Sequence, residues 1–485
     1  MQDDSIPFSS VSELSRLLGS RELSSVELTE AYIARAERLD QPDFDLPADP
    51  NLTGGEKLSS IITLAREHAL AAARRADAAA ARGPLHGIPY GVKDLLDTNG
   101  VRTTWGSRML ADNVPSRDGA VVEKLDAAGA VLMAKMSMGE FAGGNTSNAL
   151  NPWKRDRTTF GSSSGTAVAA VAGFIGFGIG SETGGSITYP CSAVGATGLR
   201  PTIGRVSRFG AMVLSWSLDK LGPVGRYAED CGIVLEAIAG HDPRDNSTAK
   251  RPFAFRREPP TSLRGVKVGV ERAAFEMAKP ADRARFDEAL DVLRSAGCEL
   301  EDVSFPDRPY GPLFSKLVGC ESGSFFAPYF DDGRIASCFP YNRARVASWM
   351  AARLAPTSDY IKALRIRSEL IRESDEVFSR YGLVVAPTWP FGAAMREVVD
   401  GWPVPSDPEL EPGGRTHTYL RMHNAANLAG LPGISFPCGF DSEGMPLSLQ
   451  LFAGAWEEQA VLDAAMIFQR ETDWHQRRPS EPFRA

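Results

Sequence analysis

Between Phe160 and Leu199 the chain runs forty residues with one charged side chain, Glu182, where an overall charged fraction of 24% predicts about ten. A stretch of that length without charge is suited to burial, yet it is not the Val, Ile and Leu filler of a plain core. Gly161-Ser162-Ser163-Ser164-Gly165 opens it and Gly180-Ser181-Glu182-Thr183-Gly184-Gly185-Ser186 closes it. Small hydroxyls and glycines let backbone amides approach another group closely. Phe160 to Ser181 is long enough to span a bilayer. It holds six glycines and five Ser or Thr, however, and its apolar part, Ala167 to Ile179, is only 13 residues, so it reads as buried core.

The flanking pattern sets the fold class. Short apolar runs (Ile88 to Val92, Ala130 to Met133, Ala167 to Ile179, Val194 to Leu199) alternate with Gly and Pro punctuation and with helical stretches such as Ala120 to Ala128. That is the pattern of strands buried by helices on both faces, an α/β fold. Residues 10 to 40 read as helical, with a capping signal at Ser24-Ser25-Val26-Glu27. Gln41 to Gly55 reads as a surface loop, and Ile61 to Arg82 as one alanine-rich helix. Val266 to Val270, Ala281 to Ala296 and Glu299 to Val303 read as strand, helix, strand. Residues 310 to 355 are expected to form helices and a lid, Thr357 to Tyr381 a helix, and Val384 to Ala386, Ile434 to Phe436 and Leu447 to Phe452 strands. At about 150 residues per domain, 485 residues suggest roughly three domains. With no repeat and no linker, one large α/β domain over 1–485 is the better expectation.

Several function classes drop out. A net charge of −8 offers no basic footprint for nucleic acid. The N-terminus lacks a basic region followed by an apolar core, so the expected location is cytoplasmic and no membrane association is expected. Cys191, Cys231, Cys298, Cys320, Cys338 and Cys438 show no paired short spacing. His417 and His423 are six apart, and no histidines share the spacing of a helical metal site. No metal and no organic cofactor are expected.

The serine-glycine loops carry the chemistry. Gly184-Gly185 before Ser186 would let consecutive N–H groups converge as an oxyanion hole requires. A serine nucleophile needs a base, and no histidine is near in sequence, so Lys93 becomes a candidate. The apolar run Leu85 to Val92 would lead it into the core, where burial lowers its proton affinity; the plainer alternative is a lysine paired with Asp94. Gly161 to Gly165 also fits the G-x-S-x-G elbow of α/β-hydrolases, with Ser163 as nucleophile and His423 available, which would make the protein an esterase. Ser217-Leu218-Asp219-Lys220 fits S-x-x-K without the companion K-T-G. No phosphate-cradling glycine loop is completed.

Taken together, Gly161 to Gly165, Gly180 to Ile187, Gly195 to Pro201, Gly87 to Asp94 and Thr103 to Ser107 resemble the amidase signature family. The likeness extends to Asn151-Pro152-Trp153, Ser217 to Pro223 and Asn427 to Gly430 with Pro432. It implies a central mixed twisted sheet covered by helices, with a signature core over 60–235, a helical, lid-like insertion over 236–360 and completion of the core over 361–485. It implies a triad of Lys93, a serine with a cis peptide bond, and the nucleophile Ser186. The family's usual spacing selects Ser162, 24 residues before Ser186, with Ser163 as the fallback. Thr183, Gly184 and Gly185 would hold the oxyanion with Ser186. The implied activity is hydrolysis of a carbon–nitrogen bond in a small amide, an anilide or a carbamate through an acyl-enzyme, in a possible homodimer. The alternative is a glutaminase-type amidotransferase subunit working with a partner. Thr188, where many members have arginine, points to the free-standing hydrolase. Aromatics from Phe314 to Trp349, including Phe325, Phe326, Phe339 and Tyr341, with Met212 and Trp216, are expected to be mainly core, some lining an apolar cleft.

Overall fold

The computed structural model describes residues 5–40, 57–143, 147–306, 308–338, 343–399, 402–405, 416–481 and 483. In chain order the strands are β1 (Ile61–Leu64), β2 (Pro89–Lys93), β3 (Val131–Met136), β4 (Phe177–Glu182), β5 (Thr197–Arg200), β6 (Lys220–Gly225), β7 (Lys267–Val270), β8 (Glu299–Asp302) and β9 (Leu383–Pro387). A hairpin, β10 (Arg396–Val399) and β11 (Trp402–Pro405), stands apart, and β12 (Gly433–Phe440) and β13 (Pro446–Phe452) follow. Eleven of these strands form one sheet in the order β1-β3-β2-β4-β6-β5-β12-β13-β9-β7-β8. The sheet is mixed: β3-β2-β4 and β9-β7-β8 are parallel clusters, joined through antiparallel pairs. Every residue of β2, β3, β4 and β6 is buried, as expected of strands flanked by helices.

Local chemistry explains where elements start and stop. Ser24 caps the helix Ser25–Leu39 with a reciprocal box: its Oγ accepts the Glu27 N–H at 3.1 Å, and the Glu27 carboxylate accepts the Ser24 N–H at 2.9 Å. Two expectations are corrected. The stretch Ile61 to Arg82 is not one helix; its β-branched start, Ile61-Ile62-Thr63, pairs antiparallel with β3, and the helix is Arg66–Ala78. The run Ala167 to Ile179 is not a single strand. Gly173, at φ +70°, caps the helix Ser164–Ala172 in the left-handed region, and β4 begins after it. The strand-helix-strand unit near 265–303 is present as β7, helix Pro280–Ser295 and β8. Helices Arg343–Arg353 and Thr357–Phe378 then both pack on helix Tyr310–Phe325. Phe339, Tyr341 and the Gln41 to Gly55 loop lie outside the described residues, as does the His417 side chain. No helix among the described residues is long and apolar enough to cross a membrane.

Candidate active site

The two serine loops meet at the carboxyl ends of β2 and β4. Lys93 closes β2, fully buried, with Nζ 2.7 Å from Ser162 Oγ, 2.8 Å from Ser181 Oγ and 3.3 Å from the Ser181 carbonyl oxygen. Burial pushes its pKa down to about 7, with Asp219 and Glu182 pulling partly back. The peptide bond between Gly161 and Ser162 is cis. Gly165 fixes this loop against the ends of β1 and β3: a Cβ there would sit 2.4 Å from the Ser60 carbonyl and 2.5 Å from that of Ser137. The Ser163 N–H donates to the Ser186 carbonyl at 3.1 Å, so the two loops are joined by backbone one residue from Ser162.

The turn after β4 is held from below by the one charge in the window. Glu182 Oε2 accepts the Ile187 and Thr188 N–H groups, both at 2.9 Å, and the Thr188 hydroxyl at 3.1 Å. Its Oε1 pairs with Arg200 Nη1 at 2.9 Å, neither side chain being exposed. Burial alone would raise the Glu182 pKa; Arg200, Lys220 and the hydrogen bonds outweigh it and hold the group at about 2. The glycines have steric reasons. Gly185 has φ +113°, and a Cβ there would lie 2.2 Å from the Tyr189 ring; one on Gly184 would lie 2.4 Å from the Phe314 ring. Thr183 is tied sideways, its hydroxyl donating to Asp219 Oδ1 at 2.5 Å. Ser186 is half-buried, whereas Lys93 and Ser162 are wholly enclosed. A cavity of 270 Å³ adjoins Ser181 and Thr183, walled by Met212, Leu214, Trp216 and Phe325.

Residues 53–462 match the family described as Amidase. The chain belongs to the amidase family. It is 37% identical over 505 residues to a glutamyl-tRNA(Gln) amidotransferase subunit of Moorella thermoacetica, covering 96% of this chain and 97% of that one. Among solved structures, the native peptide amidase of Stenotrophomonas maltophilia is 29% identical, with TM-score 0.77 and 97% and 98% of the two chains covered. The glutamyl-tRNA(Gln) amidotransferase subunit of Thermotoga maritima is 27% identical, with TM-score 0.76 and 97% and 96% covered. The expectation that Thr188 sets this amidase apart from amidotransferase subunits is not where these likenesses point. Thr188 instead serves the turn, both its N–H and its hydroxyl bonding Glu182.

The rival arrangements are not assembled in this amidase. Ser163 Oγ donates to the Ser181 carbonyl at 3.1 Å and accepts the Ser181 N–H at 3.2 Å, so the elbow serine serves β4. His423 is buried against Tyr189 and Phe452, with ring centroids 5.0 and 5.6 Å away, and burial pushes its pKa down to about 3. Lys93 does not pair with Asp94, which accepts the Thr104 N–H and hydroxyl and lies 3.9 Å from Lys135 Nζ. The S-x-x-K residues part company: Lys220 donates to Asn427 Oδ1 and Ser217 to Glu321. Cys191 is core, its thiol pushed up by burial. Phe326 and Trp349 stack at 4.2 Å in the interior, while Phe325 and Trp216 reach the cavity. No group of three His, Cys, Asp or Glu among the described residues could hold a metal ion. Two residues at the site escaped the sequence reading: Ser181, visible only as part of the Gly180–Ser186 loop, and Asp219, noticed only as the interior of S-x-x-K.

Proposed function

We propose that this amidase cleaves an amide bond by acyl transfer through Ser186, with Lys93 as base and Ser162 as relay. The observation that carries the reading is the 2.7 Å approach of a buried lysine, its pKa near 7, to Ser162. Neutral Lys93 takes the Ser162 proton as Ser162 takes that of Ser186, and Ser186 Oγ adds to the carbonyl carbon. The backbone N–H groups of Thr183, Gly184, Gly185 and Ser186 stabilise the oxyanion; losing one such donor typically costs about 10²–10³ in rate. The proton returns through Ser162 to the leaving nitrogen, the C–N bond breaks, and water then hydrolyses the Ser186 ester by the same route. The whole chain 1–485 acts as one cytoplasmic amidase domain and pairs as a homodimer, with 60–235 as its signature core and 361–485 as the completion; within 236–360, β7 and β8 belong to the central sheet, which confines the lid-like part to the helices from Tyr310 onward.

On the substrate, the curated relatives support a glutaminase-type subunit that releases ammonia for a partner. A second reading, a free-standing hydrolase of small uncharged amides, anilides or carbamates, is favoured by the cavity wall. Met212, Leu214, Trp216 and Phe325 are apolar, and Arg208 and Arg244 at its margin are already paired with Asp245 and with Glu123 and Asp242. The test is reaction with a fluorophosphonate probe and peptide mapping, beside Ser186→Ala. Label on Ser186, absent from the variant, is the expected result; label on Ser163 would overturn it. Purified chain turning over an anilide unaided, and faster than glutamine, would select the second reading.

A further inference from the structure

We infer that Glu321, on the helix Tyr310–Phe325, is a positioning residue for the reactive turn. The inference rests on the reading of Ser186 as nucleophile. Four donors converge on this one carboxylate, which is 7% exposed. Oε2 accepts the Ser215 hydroxyl at 2.5 Å and the Ser217 N–H at 2.9 Å; Oε1 accepts the Ser217 hydroxyl at 2.7 Å and the Tyr360 hydroxyl at 2.8 Å. Tyr360 belongs to the helix Thr357–Phe378, so Glu321 clamps a two-helix layer onto the 215–217 loop.

That loop leads to the turn. Ser215 is gripped from both sides: its hydroxyl by Glu321, and its N–H by Asp219 Oδ2 at 2.9 Å. Asp219 Oδ2 also accepts the Leu214 N–H at 2.8 Å, while Oδ1 accepts the Thr183 hydroxyl. The path Glu321–Ser215–Asp219–Thr183 therefore runs through four hydrogen-bonded groups into the residue that opens the Thr183–Ser186 turn. Glu321, where the path begins, lies outside the stretches that carry the family resemblance. A displaced Ser215 releases Asp219, and Thr183 loses the partner that fixes the first amide of the oxyanion-binding series. Small misplacements of such groups are costly because catalysis depends on aligned donors.

The experiment uses the fluorophosphonate probe on the full chain, separating the maximal labelling rate from the half-saturating probe concentration. Glu321→Ala is expected to lower the maximal rate about 10-fold or more, with half-saturation changed less than about twofold. Glu321→Gln should recover most of the rate, because the amide keeps the shape and the Ser217 and Tyr360 hydroxyls can turn to accept. In a Thr183→Val background, where the last link is gone, Glu321→Ala should cost less than about twofold. An equal loss in both backgrounds, or an unchanged rate in Glu321→Ala, overturns the inference. If Glu321→Ala does not fold, Ser215→Ala breaks the same path from the loop side and is read against Thr183→Val in the same way. A wild-type chain that takes no label on Ser186 would remove the nucleophile reading itself, a result distinct from an active enzyme without coupling.

Discussion

Lys93 shows how much a single position can carry. The apolar run before it gives its direction into the core, and the sheet supplies what the run cannot: three oxygens of Ser162 and Ser181 within 3.3 Å. A pair with its neighbour Asp94 was the plainer reading from sequence, but successive residues of an extended chain point to opposite faces, and Asp94 turns to Thr104 instead. A base must be neutral to accept a proton, so activity should climb as pH rises through about 7 and level off above it. Lys93→Met should lower turnover by about 10²–10⁴ and abolish that limb, read from initial rates between pH 5.5 and 9. Ser162 and Ser163 could not be separated by residue type. Their environments differ: one hydroxyl faces Lys93, the other bonds the β4 backbone.

Elements bring together what the chain keeps apart. In the parallel pair β2–β3, Lys135 is registered with Val92 and Lys93 with Met136, so the two buried lysines leave the sheet on opposite faces. Lys135 grips the Leu96 carbonyl and the hydroxyls of Thr98 and Thr103, anchoring the loop beyond β2. Strands β4 and β5 are likewise tied by Glu182 and Arg200, the first charge on each side of the uncharged serine-glycine turn. Arg200→Met strands a buried carboxylate and should cost about 3–5 kcal/mol in thermal or urea unfolding. Adding Glu182→Gln should return part of that loss, because the two changes share one contact. The lone charge was legible in sequence. The ring of Phe314 over Gly184 was not, since it arrives from a helix more than a hundred residues downstream.

At the scale of the whole molecule, the alternation of apolar runs and helices gave the α/β class, but the strand order was hidden. Nothing local says that β12 and β13 insert between β5 and β9, since pairing partners are chosen by packing over hundreds of residues. The helix starting at Arg66 and the break at Gly173 were missed because propensity is a weak guide beside tertiary pairing. Buried histidines set the acid behaviour of the fold. His423 and His475 are held neutral, at about 3 and about 4, by burial reinforced by Arg200 and Arg226 respectively. At these two sites the unfolded chain takes protons below about 6.5 while the native one does not, so the stability they contribute is lost as pH falls from 6.5 towards 4. The thermal midpoint should drop across that range, and less steeply in His423→Phe. The buried Glu182–Arg200 pair beneath the Ser186 turn has a consequence of another kind. Dissolved salt damps fields only where its ions can move, over about 8 Å of water at physiological strength. No electrolyte circulates between packed side chains, so the electrical surroundings of Lys93 are laid down when the chain folds. The protein brings its own solvent to the reaction, made of fixed dipoles and buried charged groups such as Glu182, Arg200 and Asp219, and the medium outside has little say in it.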